Sequence, residues 1–234
     1  MRTQQLSENW RFFAVESPQL TAPEGAAVPV PGSWRRLPQL ADYRGPGLYQ
    51  NRFFWQPAAG ETRAFLRFGS VFRRAEVRLN GHLLGRHNGF QSPFQYEITA
   101  ALAHGENLLE VTVCADRPEG ELFGIASVPE SVPFPLDGIT QPVSLLFTDT
   151  VFAEELYTPI DLPNKKAFLQ LTVQNGFAEP VRADLCYTLS PAGQPGQTVT
   201  AEQAVTLASG QNSCRTALFT LRQKTGFVNP KVRA

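Results

Sequence analysis

Apolar and polar residues alternate with period two through most of this chain, and that pattern leaves little room for anything but β-sheet. Ala75, Val77 and Leu79 alternate with Arg74, Glu76, Arg78 and Asn80. Leu109, Val111, Val113 and Ala115 alternate with Leu108, Glu110, Thr112 and Cys114, and Val181, Ala183, Leu185, Tyr187 and Leu189 with Arg182, Asp184, Cys186 and Thr188. Successive side chains of a strand point to opposite faces, so each run describes a strand with one face buried. Asn80-Gly81 falls between two such runs, and both residues tolerate the positive φ of a tight hairpin turn. The 19 prolines and 18 glycines interrupt the runs often. No long amphipathic helix is expected, only a single helical turn at Thr99–Ala103. The expected class is all-β, built as sandwiches.

A length of 234 residues corresponds to one or two domains. The 42% of hydrophobic residues, 17 of them Phe, suffices for a core in each. The run Val143-Leu145-Phe147 closes a first block and Thr148-Asp149-Thr150 is a polar link, which divides the chain into residues 1–149 and 150–234. Strands in the second block are expected near Leu169–Val173, Val181–Leu189, Val199–Leu207 and Cys214–Leu221, with a turn cluster at Ser190–Gly196. This block is slightly short for a sandwich of about 100 residues. The stretch Arg222–Ala234 is basic, interrupted by proline and without alternation. It reads as a truncation point, a misread end or a flexible terminus, so the block is expected to lack a final strand.

Several function classes drop out on charge and composition. Lys and Arg number 21 and Asp and Glu also 21, so the electrostatic footprint expected for nucleic acid or an anionic membrane is missing. No apolar run approaches the ~20 residues of a membrane-spanning helix. No apolar segment follows Arg2, so a secretory leader is not expected and the cytoplasm is the expected compartment. Cys114, Cys186 and Cys214 form neither a disulfide framework nor a zinc pattern and are expected to act as small buried hydrophobes. His82, His87 and His104 lack ligand spacing and are expected to be solvated or packed in loops, so no metal and no cofactor is expected. Trp34, Tyr43 and Phe90 could stack on sugar rings, though core packing is the expectation for most of them. Ser33 and Ser131 have no triad context.

The stretch Leu79–Val113 reads LNGHLLGRHNGFQSPFQYEITAALAHGENLLEVTV. It closely resembles the hallmark of the sugar-binding domain of family 2 glycoside hydrolases, the β-galactosidase, β-glucuronidase and β-mannosidase kind. Val30-Pro31-Gly32-Ser33-Trp34, Tyr43-Arg44-Gly45 and Leu48-Tyr49 resemble the family's opening segments, and Leu6–Phe12 its first strand. Gly138-Ile139-Thr140-Gln141-Pro142-Val143 resembles the strand that closes the domain. The resemblance covers residues 6–148 and continues more weakly over 151–221. It implies a galactose-binding-like jelly roll followed by an incomplete immunoglobulin-like β-sandwich. Much of the motif also has a plain structural reason: Gly85 and Gly89 relieve crowded backbone, and Pro93-Phe94 opens a strand with an aromatic anchor.

Family members are similar in placing two catalytic glutamates on a (β/α)₈ barrel, with retaining chemistry holding the carboxyls ~5–5.5 Å apart. A barrel takes roughly 250 residues of alternating strand and helix, which this sequence does not contain. The family's acid/base glutamate follows an asparagine, and no Asn-Glu dipeptide occurs here, so no catalytic residue carries over. One substrate-binding residue does. The resemblance implies that Asp116, just past the Leu109–Ala115 strand, accepts hydrogen bonds from sugar hydroxyls, against a purely local role capping its own turn through Arg117-Pro118. Asp137 is a second choice, read mainly as a turn residue. The loop Glu119–Leu136 departs from the aromatic-rich version of the family. The resemblance thus implies the non-catalytic N-terminal region of a β-glycosidase, whose partners are a catalytic barrel domain and a terminal β-linked carbohydrate and which is compatible with a homo-oligomer. The competing readings are a free-standing carbohydrate-binding module and a structural interface module.

Overall fold

A computed structural model describes residues 1–89, 92–114, 137–161, 163, 166–189, 199–220 and 228–233. The chain divides into two units, Met1–Phe147 and Thr148–Ala234. Among the described residues no helix is long and apolar enough to cross a membrane.

The first unit carries β1 (Arg2–Gln5), β2 (Trp10–Ala14), β3 (Ala26–Ala27), β4 (Gly32–Ser33), β5 (Gly47–Trp55), β6 (Arg63–Phe68), β7 (Val71–Leu79), β8 (His82–Gly89), β9 (Phe94–Glu97), β10 (Gly105–Cys114), β11 (Gly138–Ile139) and β12 (Val143–Thr148). One sheet has the order β1-β12-β6-β9. The other runs β3-β2-β5-β10-β7-β11-β4, with β8 added on β7. This is the jelly-roll sandwich. The alternation read from the sequence is the burial pattern: β7 buries Ala75, Val77 and Leu79, and β10 buries Leu109, Val111 and Val113. They share one core with Leu66 and Phe68 of β6 and Leu145 and Phe147 of β12. Trp34 and Tyr43 also belong to that core, and Trp34 stacks on Phe12 at 5.1 Å. Each such buried side chain stabilises by about 1.5–3 kcal/mol. Their rings are therefore unavailable to a sugar.

The hairpin is as expected, with φ of 51° at Asn80 and 80° at Gly81. The helical turn is present too, closed by the Leu102 N–H donating to the Ile98 carbonyl at 2.9 Å. The expected first strand, Leu6–Phe12, is corrected. Arg2–Gln5 pairs with β12 in the smaller sheet, whereas Trp10–Ala14 pairs with β5 in the larger one. Between them Asn9 takes φ of 62°. Leu6 and Trp10 are both buried at the crossover, and the indole N–H of Trp10 donates to the Leu6 carbonyl at 2.8 Å. The chain changes sheets here because burying both residues satisfies the core from either side.

The second unit carries β13 (Val151–Tyr157), β14 (Ile160–Asp161), β15 (Lys166–Asn175), β16 (Val181–Leu189), β17 (Val199–Leu207), β18 (Gly210–Thr220) and β19 (Val228–Arg233). Its sheets are β13-β15-β14, with β18 on β15, and β17-β16-β19. Leu169, Leu171, Val173, Ala183, Leu185, Tyr187 and Leu207 form a separate core, so this unit is a second β-sandwich. The expected strandless tail is corrected, because Val228–Arg233 pairs antiparallel with Leu189–Asp184. β19 is an edge strand, where the missing N–H of Pro230 is tolerated. β13 was not anticipated, since a register shift between Ala153 and Glu155 breaks its alternation.

Candidate functional site

The motif residues converge on a rigid frame. Asn107 is wholly buried in β10, and Asn80 sits in the hairpin turn. The Asn80 amide donates to Asn107 Oδ1 at 2.8 Å and to the Ala101 carbonyl at 2.9 Å, while its oxygen accepts the Leu108 N–H at 2.9 Å. Asn107 in turn accepts the Ala103 N–H at 2.8 Å and donates to the carbonyls of Ala103 and Gly105 at 2.8 and 3.1 Å. Two asparagines thus tie the hairpin, the helical turn and β10 together. A Cβ on Gly85 would come within 2.5 Å of the Tyr96 ring, so glycine is required there for close approach. His87 lies over Phe94 at 3.9 Å, and Phe94 stacks on Phe68 at 4.8 Å. These residues hold β8 against β9 and are structural.

Partial burial pushes the His87 imidazole below its ordinary value of 6.5. A depressed folded value means that the unfolded chain binds the proton more tightly, so stability rises with pH across that interval. The contribution is present in full above about pH 6.5 and is lost as pH falls through the lowered folded value. We expect melting temperature to fall as pH drops from neutral toward 5, and the fall to be shallower in His87→Phe, which keeps the stack and cannot titrate. Thermal melts of both proteins across that range measure it.

The strand that leads to the expected sugar-binding residue ends at Cys114, which pairs with Arg74 of β7. Asp116 lies outside the described residues, as do Phe90, Ser131 and the loop Glu119–Leu136. The two ends of that stretch are described. It leaves from β10 on one side of β7 and returns on β11 at the other. At the return, Arg35 donates to Asp137 at 3.0 Å and to the Ala41 carbonyl at 3.1 Å, and the Ser33 hydroxyl accepts the Arg35 N–H at 3.2 Å. Asp137, the second choice for sugar contact, is therefore committed to an ion pair, and Ser33 caps a turn. Gly138 follows at φ of 131°, with room for no side chain between the Tyr49 hydroxyl and the Gly32 carbonyl. The chain is clamped where it re-enters the sheet.

Beside the end of β10 a cavity of about 430 Å³ opens, lined by Arg74, Glu76, Arg86, Asn88 and Thr112 among others. Arg86 and Arg78 hold the Glu76 carboxyl below the usual carboxylate range, with contacts of 2.8 and 3.0 Å. Glu76 remains ionised and engaged, which suits it to fixing guanidinium groups and not to proton transfer. Sequence reasoning passed over Arg35 and Asn107 as site-framing residues. Asn107 lies within the Leu79–Val113 motif and Arg35 directly after Val30–Trp34, but neither pattern says which distant groups they bond.

The remaining candidates are ordinary. His82 is exposed, and His104 meets the edge of Trp55 at 5.3 Å. The three cysteines form no disulfide among the described residues and are half-buried rather than deeply buried, and burial pushes the Cys214 thiol up. Among the described residues no group of three or more His, Cys, Asp or Glu side chains is placed to hold a metal ion.

Residues 45–121 match the family model described as glycosyl hydrolase 2 galactose-binding domain-like. The chain is 30% identical over 185 residues to a β-glucuronidase of Bacteroides fragilis, a match covering 77% of this chain and 24% of that relative. It is 32% identical over 88 residues to a β-galactosidase of Thermoanaerobacter pseudethanolicus, covering 35% of this chain and 12% of that one. Among solved structures it is similar to a β-D-mannosidase from Dictyoglomus thermophilum, with a TM-score of 0.78, 16% identity and coverage of 100% of this chain and 34% of the other. It is also similar to a β-glucuronidase of Bacteroides uniformis, with a TM-score of 0.71, 20% identity and coverage of 94% and 28%. The chain thus spans about a quarter or less of the curated relatives named here. The motif from Leu79 to Val113, the jelly roll it builds and these matches agree: the chain belongs to glycoside hydrolase family 2, as its galactose-binding-like jelly roll and the β-sandwich that follows.

Proposed function

We propose that this chain is the non-catalytic N-terminal region of a family 2 β-glycosidase. It docks on a catalytic barrel, walls one side of the sugar pocket and sets Asp116 against a hydroxyl of the terminal β-linked sugar. The observation that carries this reading is the alignment of 77% of this chain with only 24% of a β-glucuronidase, most of which lies outside the match. Retaining hydrolysis needs two carboxyls ~5–5.5 Å apart, poised about one glycosidic bond. Here Glu61, Glu76 and Glu97 are each engaged by arginine instead.

The purified 234-residue chain is expected to release no nitrophenol from nitrophenyl β-galactoside, β-glucuronide or β-mannoside above a mock preparation. A protein carrying this chain ahead of a barrel is expected to hydrolyse at least one of them. Turnover by the chain alone would overturn the reading.

A further inference from the structure

A second cavity, of about 750 Å³, lies on the outer face of the larger sheet, on β2, β5 and the segment 23–29. Its floor is set by strand register. Arg11 stands directly opposite Gln50, and Arg52 is the next outward residue along β5. Diagonal cross-strand neighbours such as Arg11 and Arg52 have Cβ atoms roughly 7–8 Å apart. An open sheet face would present these groups to water with nothing beside them, but here a wall rises along one side. The turn Ala22–Gly25 is closed by a 2.8 Å backbone hydrogen bond, and a Cβ on Gly25 would come within 2.7 Å of the Phe13 ring. Val28 and Val30 are buried in the core and hold the segment down, leaving Pro23 and Pro29 along the groove.

The lining has two guanidiniums and one carboxylate, that of Glu24. The Arg11 guanidinium makes no hydrogen bond or ion pair among the described residues. Arg52 pairs with Glu106 at 2.6 Å, but both side chains are more than 60% exposed, so the pair is weak and open to exchange. Gln50 donates to Glu110 at 2.9 Å. The groove therefore offers fork-shaped donors for a carboxylate, a planar amide, and flat apolar walls from Pro23, Pro29 and Phe13 for the C–H faces of sugar rings. Its volume lies within the ~300–1,000 Å³ range of small-ligand pockets. We infer that this groove is a second carbohydrate-binding site, which takes an oligosaccharide bearing uronate carboxylates. It is separate from the end of β10: Glu110, beside Gln50, lies four residues before Cys114, about 13 Å along the strand.

The test is calorimetric titration of the 234-residue chain with tetragalacturonate and with neutral cellotetraose. Tetragalacturonate is expected to bind, more strongly at low salt, and cellotetraose to bind at least about tenfold more weakly, since a charge-assisted contact is lost. The double variant Arg11→Ala/Arg52→Ala is expected to lose about tenfold or more in affinity for tetragalacturonate. Arg67→Ala removes an exposed charge from β6 in the other sheet and is expected to bind as the parent does. Both variants alter exposed side chains, and thermal melting checks that they fold. Equal affinity for the neutral ligand, absence of binding, or an equal loss in Arg67→Ala would overturn the inference. The readout is binding to the chain alone, so it stands or falls separately from hydrolysis by a complete enzyme.

Discussion

Asn107→Ala is expected to cost the first unit about 3–5 kcal/mol. The residue is wholly buried and makes four hydrogen bonds, two as donor and two as acceptor. Truncation leaves the Ala103 N–H and the second amide proton of Asn80 without acceptors, and the carbonyls of Ala103 and Gly105 without that donor. Each part-buried group left unsatisfied costs about 1–3 kcal/mol, while a typical bond adds only about 1 kcal/mol net, so the damage comes mainly from the orphans. For a unit of this size the melting temperature should fall by roughly 10 °C or more. Asn107→Asp separates the two halves of the argument. It keeps the acceptor oxygens and the shape, but at neutral pH sets a buried carboxylate against the Ala103 and Gly105 carbonyls, so recovery is expected only at acidic pH, where the protonated acid can donate one hydrogen bond. Calorimetric melting of the three proteins measures it. An Asn107→Ala protein within a degree of the parent would mean that the two-asparagine link is not holding the hairpin to β10.

On the proposed reading, Asp116→Ala in a protein carrying this chain ahead of a catalytic barrel is expected to lower kcat/KM by about ten- to a hundredfold while leaving the fold intact. A hydrogen bond between an ionised carboxylate and a sugar hydroxyl is worth about 1.5–3 kcal/mol, which corresponds to that range when the bond strengthens in the transition state. The described framework motivates this expectation. The stretch that includes residue 116 leaves the sheet beside an Arg-lined cavity and returns at the Arg35–Asp137 clamp, both next to β7. Steady-state kinetics with Asp116→Ala and Asp116→Asn should be run beside thermal melts. Activity that falls only in step with melting temperature would reduce Asp116 to a turn former.

The parts of the fold legible in the chain are those encoded over a few neighbouring residues. Alternation in β7, β10 and β16 specifies a strand and its buried face, because the side-chain period of a strand is two wherever it lies. Asn80-Gly81 specifies its turn because the requirement for positive φ is local steric chemistry. The same period says nothing about which sheet a strand joins. Leu6–Phe12 read as one strand although its two ends serve opposite sheets. Nor does it reveal β19, where Pro230 interrupts the run and an edge strand tolerates the missing N–H.

Site chemistry divides along the same line. That the family motif marks a jelly roll could be read directly, since its glycines, its asparagines and Pro93-Phe94 follow one another within a single stretch. That Asn80 and Asn107 bond each other across 27 residues, or Arg35 and Asp137 across 102, could not. The outer groove gathers Arg11, Pro23, Pro29, Gln50 and Arg52 from three segments that carry no shared pattern. The sequence by itself determined the β class, the buried faces and the turn. Strand order and register alone decided which distant polar groups meet, because those pairings come from closing long loops onto a common core, and no short-range signal records where a loop will close.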